Sequence, residues 1–182
     1  GRWIRENLSD EEFADRVAEW ALNRDYLMQI IPMIKTRVDR LSELGPMCTH
    51  FLSGQIPMKP ELFDFKKLDQ NETKKALRWA TYRLEALAEW KSDGIQQALR
   101  ETADLMGVKF RLVLAPFFVA LSGKKVSTPL FDTMEVLGRD VCRGRVRDAI
   151  DALVGIGKKL ERRLEKAYET AVREAAESTS AS

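Results

Sequence analysis

With one histidine and two cysteines among 182 residues, the chain has few means of building a metal or nucleophile centre. His50 has no second imidazole to join, and Cys48 and Cys142 stand far apart with no paired spacing, so neither a zinc site nor a disulfide framework is expected. Two free, buried thiols in a reducing compartment and a structural histidine are the expectation. No apolar run approaches the ~20 residues of a membrane span, and the N-terminus has no basic-then-apolar signal segment. A cytoplasmic location and no membrane partner are therefore expected. Gly1 stands where Met would open a chain, which suggests an excised piece or a processed chain. An excess of one charge is also missing, since 30 basic residues face 28 acidic ones for a net charge of +2.

The distribution of charge says more than its sum. Residues 109–147 hold eight Lys/Arg and three Asp/Glu, a local +5, while the remainder holds 22 basic and 25 acidic residues, a −3. A basic field on a nearly neutral body is the footprint expected for a polyanion, although solvated helix faces produce it too.

Reactive constellations are scarce. Gly155-Ile156-Gly157-Lys158 lacks the glycine spacing and the hydroxyl residue of a phosphate loop and reads as a helix interruption. Glu11-Glu12 sits where carboxylates favour a helix N-terminus, so capping explains the pair better than acid–base work. Arg139, Arg143 and Arg147 are spaced by four and form a stripe on one helical face, with Arg145 to the side. Guanidinium groups spaced by ~6 Å along a helix can follow a phosphate backbone. The alternative is a solvated face paired locally with Asp140 and Asp148.

The pattern is all-α, with no strand alternation and no repeat. Ser9-Asp10-Glu11-Glu12 is a capping box opening a helix through Phe13, Val17, Trp20 and Ala21. Asn23 and Asp25 can cap a second helix carrying Leu27, Ile30, Ile34, Val38 and Leu41, with a kink or break expected at Pro32. The Gly/Pro-containing residues 53–60 make the best internal boundary. Helices are then expected over about 71–91, from Ser92 to a stop at Gly107, over 110–121 around Pro116, from a Thr128 cap with Pro129 at its first position to Gly138, and over about 140–153. A charged helix should follow over 155–177, with Ser178 to the end frayed. Two small helical subdomains result, residues 1–52 and 61–153, joined by 53–60 and followed by the tail 154–182.

Ala120-Leu121-Ser122-Gly123-Lys124-Lys125-Val126-Ser127-Thr128, followed by Pro129-Leu130-Phe131-Asp132-Thr133-Met134-Glu135-Val136-Leu137-Gly138-Arg139-Asp140, resembles the C-terminal anticodon-binding region of bacterial glutamyl-tRNA synthetases. Three weaker segments resemble the same family in the same order. They are Trp3-Ile4-Arg5-Glu6 before Leu8-Ser9-Asp10-Glu11, the helix-like run from Ile34 through Arg37 to Leu44, and residues 89–109. The likeness covers about residues 1–153. Lys124-Lys125-Val126-Ser127-Thr128 bears a faint likeness to the Lys-Met-Ser-Lys-Ser loop of class I synthetases, but its second Lys is misplaced for that role.

The resemblance implies a helical cage that grips the anticodon loop of glutamate tRNA (tRNA-Glu), a monomer, and no DNA partner. It implies that ATP and magnesium belong to a catalytic part whose signatures are missing here, so that this chain holds no cofactor and does not aminoacylate unaided. Arg37 aligns with the family arginine that reads the third anticodon base, and Ser127, Thr128 and Leu130 match the loop beside the anticodon. The alternative for Arg37 is an exposed helical arginine pairing with Asp39 or Glu43. Phe118 stands where relatives use an arginine on the middle base, and is taken as core over a stacking replacement. Lys158, Lys159, Arg162 and Arg163 in the tail could extend an RNA contact, or form a solvated helix interleaved with acids. Two rivals remain: a helical adaptor that binds protein, and a free-standing tRNA-binding factor derived from the synthetase fold.

Overall fold

The computed structural model describes residues 23–35 and 37–180. The helix expected from Ser9 and the entry segment 3–11 lie outside them. Among the described residues every regular element is helical: α1 (Arg24–Ile34), α2 (Leu44–Leu52), α3 (Gln70–Glu85), α4 (Ser92–Met106), α5 (Phe110–Ser122), α6 (Leu130–Leu137), α7 (Arg139–Ala152) and α8 (Lys158–Ser180). No helix among them is long and apolar enough to cross a membrane.

Helix α1 starts as its sequence predicts, since the Asn23 side chain accepts from the backbone N–H of Asp25 at 2.8 Å. Pro32 does not break it, but the helix ends two residues later at Ile34 and does not continue to Val38 and Leu41. Leu41 instead opens a 3-10 turn, Leu41–Glu43, and Glu43 accepts from the Asp39 N–H at 2.9 Å. Arg37 therefore lies in a turn, correcting the helical placement expected for it. The loss of one amide donor at Pro32 weakens the last turn, which leaves the chain free to bend there.

A second correction concerns α3, which stops at Glu85 and not near residue 91. The side chain of Trp90 turns inward and donates from Nε1 to the Met134 carbonyl at 2.7 Å, so this apolar residue serves a loop anchor. Helix α4 ends at Gly107 in the left-handed conformation, as expected. Helix α5 contains Pro116 yet stays continuous and buried, with Val113, Phe117, Val119, Ala120 and Leu121 in the interior. It ends at Gly123, where φ is +67° and an added Cβ would stand 3.0 Å from Ile56 Cγ2, so glycine is needed for both torsion and space.

The helices pack around one contiguous core that runs from Ile30 and Ile34 in α1 to Leu153 after α7. Helix α4 lies against α3, α5 and α6, while α5 is sandwiched further by α3 and α7. Residues 53–60 are irregular but place Ser53 and Ile56 in the interior. Helix α8 docks on α3 and α4. Trp79 Nε1 donates to the Leu164 carbonyl at 3.0 Å, Tyr168 meets the Trp79 and Tyr82 rings, and Arg78 pairs with Glu161. Its helix runs through Ser178, where fraying was expected, to Ser180.

Arg145 is 2% exposed and is the largest of the fully buried side chains. Its Nη1 donates to the Leu121 carbonyl at 2.7 Å and its Nη2 to the Ser53 carbonyl at 2.7 Å. Leu121 lies in the last turn of α5 and Ser53 is the C-cap of α2. Carbonyls at helix C-termini lack intrahelical donors and carry the negative end of the helix dipole, so one guanidinium neutralises two such ends. Removing it strands both carbonyls. Arg145→Met should lower the unfolding free energy by about 3–5 kcal/mol in urea titration. Arg145→Lys should recover little of this loss, because an ammonium cannot span both acceptors with a fixed fork. A loss under about 1 kcal/mol in either variant would contradict this role.

Candidate nucleic-acid interface

The segment 123–129 between α5 and α6 is the meeting point of residues far apart in sequence. Arg37 Nη1 donates to the Ser127 carbonyl at 3.2 Å across a separation of 90 residues. Lys124 Nζ donates to the Pro46 carbonyl at 3.2 Å, and Lys125 Nζ donates to the Asp64 carbonyl at 3.1 Å while lying over the Phe65 ring. Three cations thus clasp the loop to the preceding chain by their tips. Each keeps further donors, since a guanidinium carries five N–H groups and an ammonium three. Val126, at the loop's apex, is 81% exposed and leaves an apolar tip among these charges.

Behind the loop the contacts are buried. Thr128, 1% exposed, does not cap α6; the N-cap is Pro129, with no side-chain cap bond. The Thr128 hydroxyl is 3.0 Å from His50 Nε2 and 2.7 Å from the Thr133 hydroxyl. The expectation that Thr128 caps the helix is corrected for that reason: its oxygen is already engaged sideways. Leu130, 5% exposed, joins the core. The candidate residues Arg37 and Ser127 are therefore brought together at the surface, while Thr128 and Leu130 hold the loop from within.

The arginine stripe is divided by the structure. Arg139 Nη2 donates to the Leu87 carbonyl at 2.5 Å, and its guanidinium lies over the Trp90 ring. Arg143 pairs with Asp140 at 3.1 Å on the surface. Arg147 is exposed. One member of the stripe is a tie to the 86–90 turn, one is in a local ion pair, and one faces solvent. Phe118 is partly buried and packs on the core. In α8, Lys158, Lys159, Arg162, Arg163 and Lys166 are all exposed and border a surface depression of about 510 Å³.

Two residues that sequence reasoning left out of the site shape it: His50, expected to be structural, and Arg145, set to the side of the stripe. A signal for Arg145 exists, since it shares the spacing of the buried Cys142, Val146 and Ala149 on α7. A charged residue within an apolar helical stripe marks a buried polar role. His50 offered only its rarity. Both thiols are free and buried as expected, and burial pushes the Cys48 thiol up to about 11. Among the described residues no three His, Cys, Asp or Glu side chains gather as a metal site.

Among the described residues the body is helical and presents a cation-clasped loop, the architecture of a helical binding domain. Comparison with known proteins gives that class its family. Residues 12–150 match the family model described as "Anticodon binding domain", and the chain belongs to that family. It is 42% identical over 168 residues to the glutamate–tRNA ligase of Marinomonas sp. (strain MWYL1), covering 92% of this chain and 34% of that protein. Against the glutamate–tRNA ligase of Cellvibrio japonicus it is 40% identical over 166 residues, covering 91% and 33%. The chain thus spans about a third of the length of the curated relatives it matches. A crystal structure of a glutamate tRNA ligase from Elizabethkingia meningosepticum, in complex with its amino acid, shares the fold. Its TM-score is 0.63 at 18% identity, covering 84% of this chain and 31% of that one.

Burial, followed by the charges of Arg145 and Lys124, lowers His50 from its ordinary 6.5 to about 3. Between those values the unfolded chain binds a proton that the folded chain does not, so stability present above pH 6.5 is lost as pH falls towards 3. Urea unfolding at stepped pH should show a decline below 6.5 with a component of up to about 1.4 kcal/mol per pH unit from this residue. His50→Gln should flatten that decline. An unchanged slope in the variant would contradict a neutral buried imidazole.

Proposed function

We propose that this chain is the C-terminal anticodon-binding part of a glutamate–tRNA ligase, that it acts as a monomer in the cytoplasm, and that its partner is glutamate tRNA. The observation that carries the reading is the contact between Arg37 and Ser127. Two segments that resemble the anticodon-reading parts of the family, from opposite halves of the chain, meet at one exposed edge. A guanidinium there offers only donors. Cytosine presents the N3 and O2 acceptors side by side on its pairing edge and can be met, whereas guanine presents N–H donors at the matching positions, with O6 its single acceptor there, and sets donor against donor. Glutamate anticodons end in C and glutamine anticodons in G, so Arg37 would make the domain discriminating.

Work of this kind is recognition, with cations holding phosphates and a few groups testing bases. Besides Lys109 and Arg111, the exposed cations of the basic segment 109–147 are Lys124, Lys125 and Arg147, which fit the first task, with Arg143 once its pair with Asp140 opens. Arg139 serves the fold first. ATP, magnesium and glutamate would be bound by parts of the ligase that this chain does not include, and the attachment of glutamate would occur there.

The test is binding to glutamate tRNA and to a variant whose third anticodon base is G, at two salt concentrations. Wild-type protein should prefer C by the cost of unpaired polar groups, about 1–3 kcal/mol or roughly 5–150-fold. Arg37→Ala should remove that preference while affinity stays salt-dependent. Salt-dependent binding with no preference would sink the role of Arg37, and no binding at low salt would favour a protein-binding adaptor.

A further inference from the structure

The hydroxyls behind the loop have only one self-consistent hydrogen arrangement. Thr133 Oγ1 is 2.6 Å from the Pro129 carbonyl, which can only accept, so the Thr133 proton is committed there. Thr133 Oγ1 is also 2.7 Å from Thr128 Oγ1, and having no second proton it must accept from Thr128. The Thr128 oxygen, its own proton spent, must then accept from His50 Nε2 at 3.0 Å. The chain of donors runs one way, from imidazole to Thr128 to Thr133 to the Pro129 carbonyl. His50 accordingly carries its proton on Nε2, and its Nδ1 is buried without a partner.

This relay links three elements. His50 belongs to α2, Thr133 to α6, and Thr128 to the loop between α5 and α6. His50 and Thr128 are 2% and 1% exposed, so water does not compete for these bonds. The next residue back from Thr128 is Ser127, whose carbonyl receives Arg37. The direction of that carbonyl, and with it the resting place of the guanidinium, depends on how Thr128 is held.

We propose that His50 is a positioning residue for base selection: by donating to Thr128 it fixes the backbone at residues 127–129 and so sets where Arg37 meets the third anticodon base. This rests on the reading of Arg37 as the base-testing group. A group that selects by hydrogen-bond geometry needs support from side chains whose own orientations are locked, and a buried one-way relay provides that. Neutrality of the imidazole suits the task, because protonating the partnerless Nδ1 would place an unsatisfied charge in the interior.

His50 is the only histidine of the chain, so its ring nitrogens are assigned without ambiguity in a two-bond ¹⁵N–¹H correlation spectrum. The spectrum at pH 5.5 and 7.5 should show a protonated Nε2 and a bare Nδ1, unchanged between them. The other tautomer would overturn the relay. His50→Gln keeps a donor near the Nε2 position, His50→Leu removes it, and Thr128→Val removes the acceptor from the other side. With folding verified by circular dichroism, the Gln variant should keep the C-over-G preference. His50→Leu and Thr128→Val should each reduce it by about tenfold, mainly through weaker binding of the C form. Full preference in both variants would overturn the role of His50 alone. No preference in the wild-type protein would instead bring down the Arg37 reading, and the positioning role with it, whatever the spectrum shows.

Discussion

The guanidinium of Arg145 is the point on which the rest of the arrangement depends. It joins the C-terminal end of α2 to that of α5 through two short bonds to neutral carbonyls. Those two ends are where the chain leaves the core to form residues 53–60 and the loop 123–129. A helix end pointing into a protein interior needs donors from outside itself. Here one residue of α7 supplies both, and the departure directions of two segments become a single geometric fact. Ile56 against Gly123 closes the same corner from the apolar side.

From that corner the site follows by short steps. The loop emerges at a glycine with positive φ, is clasped in front by Arg37, Lys124 and Lys125, and is backed by Thr128 and His50. The front contacts are single bonds from exposed, flexible side chains to carbonyls. Exposed contacts of this kind contribute little to stability and exchange readily with water or a ligand. The back contacts are buried and cannot exchange without cost. Strong behind and weak in front fixes the loop backbone while the cation tips keep donors to spare.

Periodicity and caps made the helical architecture legible in the sequence. Asn23, Gly107, Gly123 and Gly138 punctuate the chain where turn chemistry says they should. The misplaced boundaries, beyond Ile34 and beyond Glu85, fall where a side chain satisfies a distant partner and overrides local preference. Trp90 leaves the helix pattern for the Met134 carbonyl, and Arg37 reaches Ser127. The candidate loop was legible through its resemblance, but the division of labour within it was not. Whether a threonine caps a helix or feeds a relay depends on His50, which lies 78 residues away, and spacing along the chain carries no information about that partner. The arginine stripe is divided for a related reason. Helical spacing places Arg139, Arg143 and Arg147 on one face but does not say what else occupies that face, and the Leu87 carbonyl and Trp90 ring claim the first of them.

Structural and recognition charges are not separate accounts here. Arg145 donates to two carbonyls and, among the described residues, forms no ion pair with a carboxylate; the negative ends of two helices are what offset its charge. Its field is felt by His50, where it helps to hold the ring neutral, after burial itself. His50 touches Thr128, so the same field reaches the back of the loop whose front carries Lys124 and Lys125. In a medium less polarisable than water such a field decays slowly. A chain with a net charge of only +2 presents a positive edge because the exposed cations of residues 109–147 gather there, while Arg145 beneath them serves two helix ends and the neutral imidazole.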